Sequence, residues 1–374
     1  MMLLFHIGFP LLIICGSLFG DYILKNEKYK KILLLSLCIL FVAFLSIQTN
    51  KIGYDTINYR KGYEQLANKS FSNIFKESEL TKKFFNIFCK LFVLLHIPFS
   101  IFQVSLYVFV FLTIFLVVCK YGKNYTLFFA FFFALPFYQM LYSGIRQYVS
   151  VSFVLLGIYF LLNTKISKKI RIILFYVCLL SATLFHISSL ICVFVPLILI
   201  GRKNILVYFV LFFISLVVLL FGPQIYYSIT SVVSINKIPA SDYQVFPTFY
   251  CVILCVLLGS QAYYFICSNE KNLIIKRIIS KIQNINLNSP LFEERNLAFF
   301  SILSWILLIF VATASANNEW PRFHFFFDIF FALFISLMPI NFSKKERNLY
   351  IGIFVFVGLF IYCYRFLPYV RAFS

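Results

Sequence analysis

One guanidinium interrupts a long apolar stretch of this chain. Between Lys123 and Lys165 the only formally charged side chain is Arg146, within "YSGIRQYVSV" (142–151). As a single helix, 124–164 would be about 60 Å long, enough for two crossings of an apolar core about 30 Å thick. Ser143–Gly144 is then a hairpin tip, and Arg146 stands near the membrane surface at the start of the next helix. An arginine at mid-bilayer costs roughly 2.5–3.5 kcal/mol on insertion scales and much less at a tip. A guanidinium beside a helix N-terminus concentrates positive potential, and such a place binds phosphate.

Other mixed polar groups fall on the same side of the expected topology. His186 breaks an apolar run in "LFHISSL", Glu319 and Arg322 sit in "ANNEWPRFHFFF", and Asp55 and Tyr59 lie in "IGYDTINYRKGYEQL". Each also has a plainer role. Arg146 can anchor the hairpin to lipid headgroups, and His186 can be a satisfied turn histidine. Glu319 and Arg322 can pair across a helix start, and Asp55 can close an Asx turn. Asp328 lies about 9 Å deeper along the helix than Arg322, with His324 one turn away as its expected intramembrane partner. Such a pair is functional by default, though it can be structural. No Asp-x-Asp pair or carboxylate cluster is present, so no metal site is expected. Nothing resembles a Gly-rich nucleotide loop, and no cofactor is expected.

The elements that must position these groups are membrane helices. The 374 residues are 62% hydrophobic and only 12% charged, too little polar surface for a soluble domain. The net charge of +20 would suggest nucleic acid in a soluble protein. Here Lys and Arg collect in short loops between apolar runs, so nucleic acid is not an expected partner. Part of the 51 Phe can reflect codon bias, and Phe clusters are not read as cofactor boxes. The ten cysteines lie in or beside apolar runs and imply neither a disulfide framework nor a zinc knuckle. The N-terminus has no basic n-region or clear cleavage site and is expected to be a retained first span.

Apolar runs predict spans at 3–20, 32–48, 99–119, 125–142, 147–163, 204–221, 247–267, 297–313, 322–339 and 349–367. The run 170–200 is split near His186, giving about twelve transmembrane helices. The stretch 84–97, with Lys90 inside and Pro98 closing it, suits a short interfacial or re-entrant helix. The expectation is an all-α polytopic membrane protein forming one integral domain over 1–374. Loops 49–83 and 222–246 are placed outside, and the basic loop 268–296 in the cytoplasm. The sidedness follows from the positive-inside rule, because most Lys and Arg after residue 119 fall on one side.

Four motifs in order carry a resemblance: "GYDTINY" (53–59), "IRQYVSVSFVLLGIYFL" (145–161), "LFHISSLI" (184–191) and "EWPRFHFFFD" (319–328). Together they resemble the EpsG family, within the Wzy-like O-antigen and exopolysaccharide polymerases, over about residues 50–330. Lys51 stands where that family often has an Arg, and Lys supplies charge without the planar fork.

The resemblance implies a metal-independent glycosyltransferase at the outer face of the bacterial inner membrane. It would move a glycan from an undecaprenyl-pyrophosphate donor onto a second lipid-linked repeat unit, toward capsule, O-antigen or exopolysaccharide. Arg146 and Arg322 would then hold the pyrophosphate. Asp55, His186 and Glu319 are the candidate bases or proton donors, and Tyr59 and Gln147 would orient sugar. Implied partners are the lipid-linked donor and acceptor, membrane lipid, and a chain-length regulator and flippase of the same pathway. Rival readings are a lipid-linked oligosaccharide flippase, a membrane O-acyltransferase, and a ligase with a different acceptor. No internal repeat supports a flippase.

Overall fold

The computed structural model describes residues 2–52, 55–77, 79–142, 144–201, 210–218, 220–221, 247–267, 292–313 and 321–371. All regular elements among them are helical. Residues 222–246 and most of the 268–296 loop lie outside the described residues.

Two compact units emerge, Met1–Pro196 with Val357–Ser374, and Leu197–Phe356. The first contains α1 (Met2–Tyr22), α2 (Glu27–Ile52), α3 (Thr56–Gln65), α4 (Phe71–Phe75), α5 (Leu80–Leu94), α6 (Phe99–Tyr121), α7 (Tyr125–Ala134), α8 (Pro136–Met140), α9 (Ile145–Leu161) and α10 (Lys168–Phe185). A 3-10 stretch, Ile187–Phe194, leads into α11 (Val195–Gly201). The second unit holds α12 (Pro247–Cys267), α13 (Phe292–Thr313) and α14 (Pro321–Leu337), and α13 packs on both α12 and α14. The last helix, α15 (Lys344–Arg371), contributes residues 357–371 to the first unit.

Three segments of the described helices are long and apolar enough to cross a membrane: Glu27–Ile47, Phe99–Tyr121 and Lys344–Tyr364. Several shorter apolar helices accompany them. Outward-facing Val108, Leu112, Ile173, Leu180, Phe356 and Phe360 are exposed, as side chains facing lipid are. This is a helical membrane protein.

The centre of the first unit is α7, all ten of whose residues are buried. A helix apolar all round belongs inside, and the "TLFFAFFFA" sequence leaves no polar face. Phe41 stacks on Phe111, Phe129 and Phe133 at 4.9–5.7 Å, and Phe9 stacks on Phe44 at 3.8 Å. Gly358 lets α15 approach this core: a Cβ there would lie 3.0 Å from the Ala130 carbonyl. The α7 N-terminus is capped twice. Asn124 accepts from Leu127 N at 2.8 Å, and Asp21 of α1 accepts from Thr126 N at 2.9 Å and its hydroxyl at 2.8 Å.

The structure redraws three sequence expectations. Segment 125–142 is not one helix, because Leu135 is extended (φ −94°, ψ 152°) ahead of Pro136. A residue before proline is pushed out of the helical region. The second half of 170–200 is a 3-10 stretch and one short helix, not a full-length span. Segment 49–83 is largely helical, and the short helix expected at 84–97 runs from Leu80 to Leu94 instead. It ends where His96 takes a positive φ of 53°.

Lys90, which argued against a crossing at this helix, is buried but not stranded. Its ammonium donates to the carbonyls of Leu66 and Ala67 at 2.6 and 3.1 Å. It closes the end of the preceding 3-10 turn, whose last carbonyls need donors. Removing the cap on α7 should show the cost of such unmet ends. Asp21→Ala is expected to lower stability by about 1–2 kcal/mol, seen as an earlier thermal unfolding midpoint in detergent. An unchanged midpoint would mean that Asn124 alone suffices.

Candidate active site

The turn before Arg146 is held by its neighbours. The Tyr107 hydroxyl donates to the Leu141 carbonyl at 2.8 Å, and Thr56 Oγ1 donates to the Tyr142 carbonyl at 2.9 Å. Tyr138 and Tyr142 join hydroxyls at 2.8 Å beneath it. Gly144 precedes α9, and a Cβ there would lie 2.6 Å from Met140 Cγ and 2.9 Å from Gln147 Oε1. A side chain at 144 would have to displace both of these flexible groups, and Arg146 falls in the first turn of α9.

Two elements grip the guanidinium, α10 and the start of α5. Nε donates to the carbonyl of Phe185, the last residue of α10, at 3.1 Å. Nη2 donates to Thr81 Oγ1 at 2.5 Å and to Glu79 Oε1 at 3.1 Å, both at the start of α5. The Phe85 ring lies beneath it, 5.9 Å from Cζ, a cation–π distance. Among the described residues nothing accepts from Nη1. The Arg146 side chain is 17% exposed and Glu79 is 58% exposed, so the ion pair sits at a solvent-open edge of a largely buried cation.

The Thr81 hydroxyl also donates to Glu79 Oε1 at 2.6 Å. Arg146, Thr81 and Glu79 therefore form a closed triangle. The Glu79 carboxyl is held below its ordinary range, first by the Thr81 hydrogen bond, with partial burial opposing, and then by Arg146. A depressed carboxylate contributes its stability above its unfolded-state pKa and loses it as pH falls through the folded value. The pair is therefore intact at neutral pH and opens only in acid. Because Glu79 is mostly exposed, salt screens part of its contribution.

Next to Arg146, the Gln147 amide nitrogen lies 3.4 Å from His186 Nε2, and His186 Nδ1 makes a short contact with the Ser188 hydroxyl. Either ring nitrogen can carry the proton in this arrangement, since both contacts accommodate either role. His186 is extended (φ −152°, ψ 121°) at the end of α10, which turns its ring out of the helix.

Among the residues singled out from sequence, Gln147 and His186 meet directly, and Arg146, next to Gln147 in sequence, binds the carbonyl of Phe185, which precedes His186. Tyr59 joins them through Phe85, touching that ring edge-on at 5.8 Å. Asp55 is exposed at the N-cap of α3 and makes no side-chain cap bond. The next residue, Thr56, ties α3 to the Arg146 turn. Arg322, His324 and Asp328 belong to α14 of the second unit. Asp328 is buried there, whereas the Arg322 and His324 side chains, and Glu319 altogether, lie outside the described residues.

Glu79 and Thr81 were not anticipated. They stand more than sixty residues before Arg146 in a polar segment, "KESELTKK", that reads as a solvated loop. An acid and a hydroxyl flanking the start of an amphipathic helix was the only local signal.

With this geometry in hand, the comparison with known families is informative. A family model described as the EpsG family matches residues 31–372. The chain belongs to the EpsG family. EpsG proteins are a Wzy-like polymerase family, which points to a polysaccharide polymerase type of function. The match spans both compact units and extends past the four sequence motifs at either end. No curated protein and no solved structure matches the chain.

The triangle makes a checkable statement about this EpsG-family site. Thr81→Val should raise the Glu79 pKa toward the ordinary glutamate value of about 4.3, while protein fold and Arg146 placement persist. Carboxyl-selective NMR of the labelled side chain reads it, and an unmoved titration would show that Thr81 does not hold the carboxylate.

Proposed function

We propose that this chain is a polysaccharide polymerase that uses a lipid-linked glycan donor at the outer face of the bacterial inner membrane, carried by about twelve crossings. The donor is a glycan on a polyprenyl diphosphate, and the acceptor is a sugar hydroxyl of a second lipid-linked unit. The acceptor oxygen attacks the anomeric carbon, the bond from that carbon to the phosphate oxygen breaks, and the diphosphate leaves with the electron pair. The hydroxyl proton passes to a base on the protein.

The observation that carries this reading is the fixed guanidinium with one edge unengaged, directly beside Gln147 and His186. Negative charge grows on the departing diphosphate, and a donor already oriented in a partly dry site stabilises it without reorganising. Arg suits the task because, once the exposed Glu79 leaves Nη2, Nη1 and Nη2 can meet phosphate with two parallel hydrogen bonds. His186, in contact with Gln147 and next in sequence to Phe185, whose carbonyl Arg146 engages, is the base favoured by position. Asp55 and Glu319 are the other proton acceptors in this reading. Gln147 and Tyr59 orient sugar in this reading, and Arg322 is the second cation that the family resemblance implies. Asp328, buried in α14, is the acid of the intramembrane pair that this reading expects with His324. The chemistry needs no metal, because the cations take the role a divalent ion would play.

Two variants test it in cells. Arg146→Ala should leave expression and membrane insertion unchanged but cut polymerisation by about 10²–10³, leaving single repeat units on the lipid carrier. Arg146→Lys should recover little, since the fork to Phe185, Thr81 and the ligand is lost. Long polymer from either variant would remove Arg146 from the site.

A further inference from the structure

A cavity of about 420 Å³ lies between α5, α6, α9 and α10 of the first unit. That volume falls in the range of about 300–1,000 Å³ typical of small-molecule sites. Six phenyl rings dominate its lining: Phe84, Phe88 and Phe92 of α5, Phe109 of α6, Phe153 of α9 and Phe185 of α10. The α5 rings recur every fourth residue, so they form one stripe. On another part of the same helix, Lys90 is tied to the carbonyls of Leu66 and Ala67, which fixes the direction the stripe faces. The two serines in the lining present no unmet polar group. Ser105 donates to the Phe102 carbonyl at 2.6 Å and Ser181 to the Val177 carbonyl at 3.1 Å. Polar ligands find nothing to bind there.

The cavity adjoins the cation. Phe185 contributes its ring to the lining and its carbonyl to Arg146 Nε. Phe85, under the guanidinium, follows Phe84 in the lining. Beside the lining residues Phe109 and Ser181 in sequence, Val108 of α6 and Leu180 of α10 are exposed apolar side chains. The lining thus adjoins the cation through Phe185, and the helices that carry it also present apolar surface.

We infer that this groove holds the head-proximal part of the polyprenyl tail of the diphosphate-linked donor, with the remainder of the chain running into the bilayer. The inference rests on the reading that Arg146 grips the diphosphate. A tail leaving the bilayer for the groove gains little from the hydrophobic effect, since lipid is equally apolar. The gain comes from close packing against six fixed rings. Charge complementarity selects the occupant: a zwitterionic or singly charged phospholipid offers Arg146 less than a diphosphate does. The groove therefore sets the direction from which the donor enters and aims its anomeric carbon at the Gln147–His186 side.

The test uses the full-length protein in phosphatidylethanolamine–phosphatidylglycerol vesicles with a farnesyl diphosphate carrying a diazirine on its first isoprene unit. After irradiation, labelled peptides should map to α5, α6 and α9 at Phe88, Phe109 or Phe153. Excess undecaprenyl diphosphate should suppress the label about tenfold, and added phosphatidylglycerol should not. Ser105→Trp and Ser181→Phe fill the groove from its rim, away from the tightly packed interior. Both should lose the label and raise KM for the lipid donor with kcat largely kept. Equal competition by phosphatidylglycerol would assign the groove to ordinary bilayer lipid and overturn the inference. Label outside the groove would overturn it too. In that case polymer loss in Arg146→Ala would leave the diphosphate reading standing, whereas polymer made by Arg146→Ala would end both.

Discussion

A charged group taken out of water must be paired, and Arg146 is the place where that constraint organises the first unit. The guanidinium sits in an otherwise uncharged run of some forty residues, and its partners cannot come from its own segment. They arrive from α5, which brings Glu79 and Thr81, and from the end of α10, which brings the Phe185 carbonyl. The Glu79 pair at the exposed edge is screened and contributes little by itself, while the Phe185 carbonyl and Thr81 hydroxyl meet donors that would otherwise be buried and unmet. The position of α5 against α9 and α10 thus follows from electrostatics as much as from packing.

The same solution recurs. Lys90 meets two carbonyls at the end of a 3-10 turn, and Arg171 Nη1 donates to the Leu161 carbonyl at 3.3 Å. In a protein with 33 Lys and Arg against 13 Asp and Glu, carboxylate partners are scarce. Main-chain carbonyls left over at helix ends take their place. Arg146 differs in having a carboxylate as well, at the exposed edge, where an incoming diphosphate would meet it. A surface carboxylate on a cationic site holds the donor geometry in place and gives way to a stronger anion.

Much of the helical layout was legible because hydropathy reports directly on the bilayer. The ends of α6, α9 and α10 fall within a few residues of the apolar runs, and the break at His186 was visible as a polar interruption. Arg146, Gln147 and His186 could be singled out because polar groups are rare in such runs. Hydropathy could not report local backbone geometry. Pro136 sits inside an unbroken apolar run, yet it splits α7 from α8, and α7 is enclosed by protein, not lipid. Nor could it report partners distant in sequence. Glu79 and Thr81 belong to a stretch whose composition reads as solvated loop, and only the folded arrangement of α5 brings them to the guanidinium. The partners of Lys90 were hidden for the same reason: the Leu66 and Ala67 carbonyls that meet it lie more than twenty residues away.

Family membership and local geometry support each other without overlapping. The family points to a polymerase; the geometry shows a held, largely buried guanidinium, on which the proposed diphosphate site rests. The most direct measurement is a cryo-electron microscopy map of the full-length protein in nanodiscs with a non-hydrolysable phosphonate analogue of a polyprenyl diphosphate sugar. The expected result is phosphonate density within hydrogen-bond reach of the Arg146 guanidinium, with Glu79 displaced from Nη2 and the sugar beside Gln147 and His186. Density for the head group elsewhere, with the Arg146–Thr81–Glu79 triangle undisturbed, would contradict it.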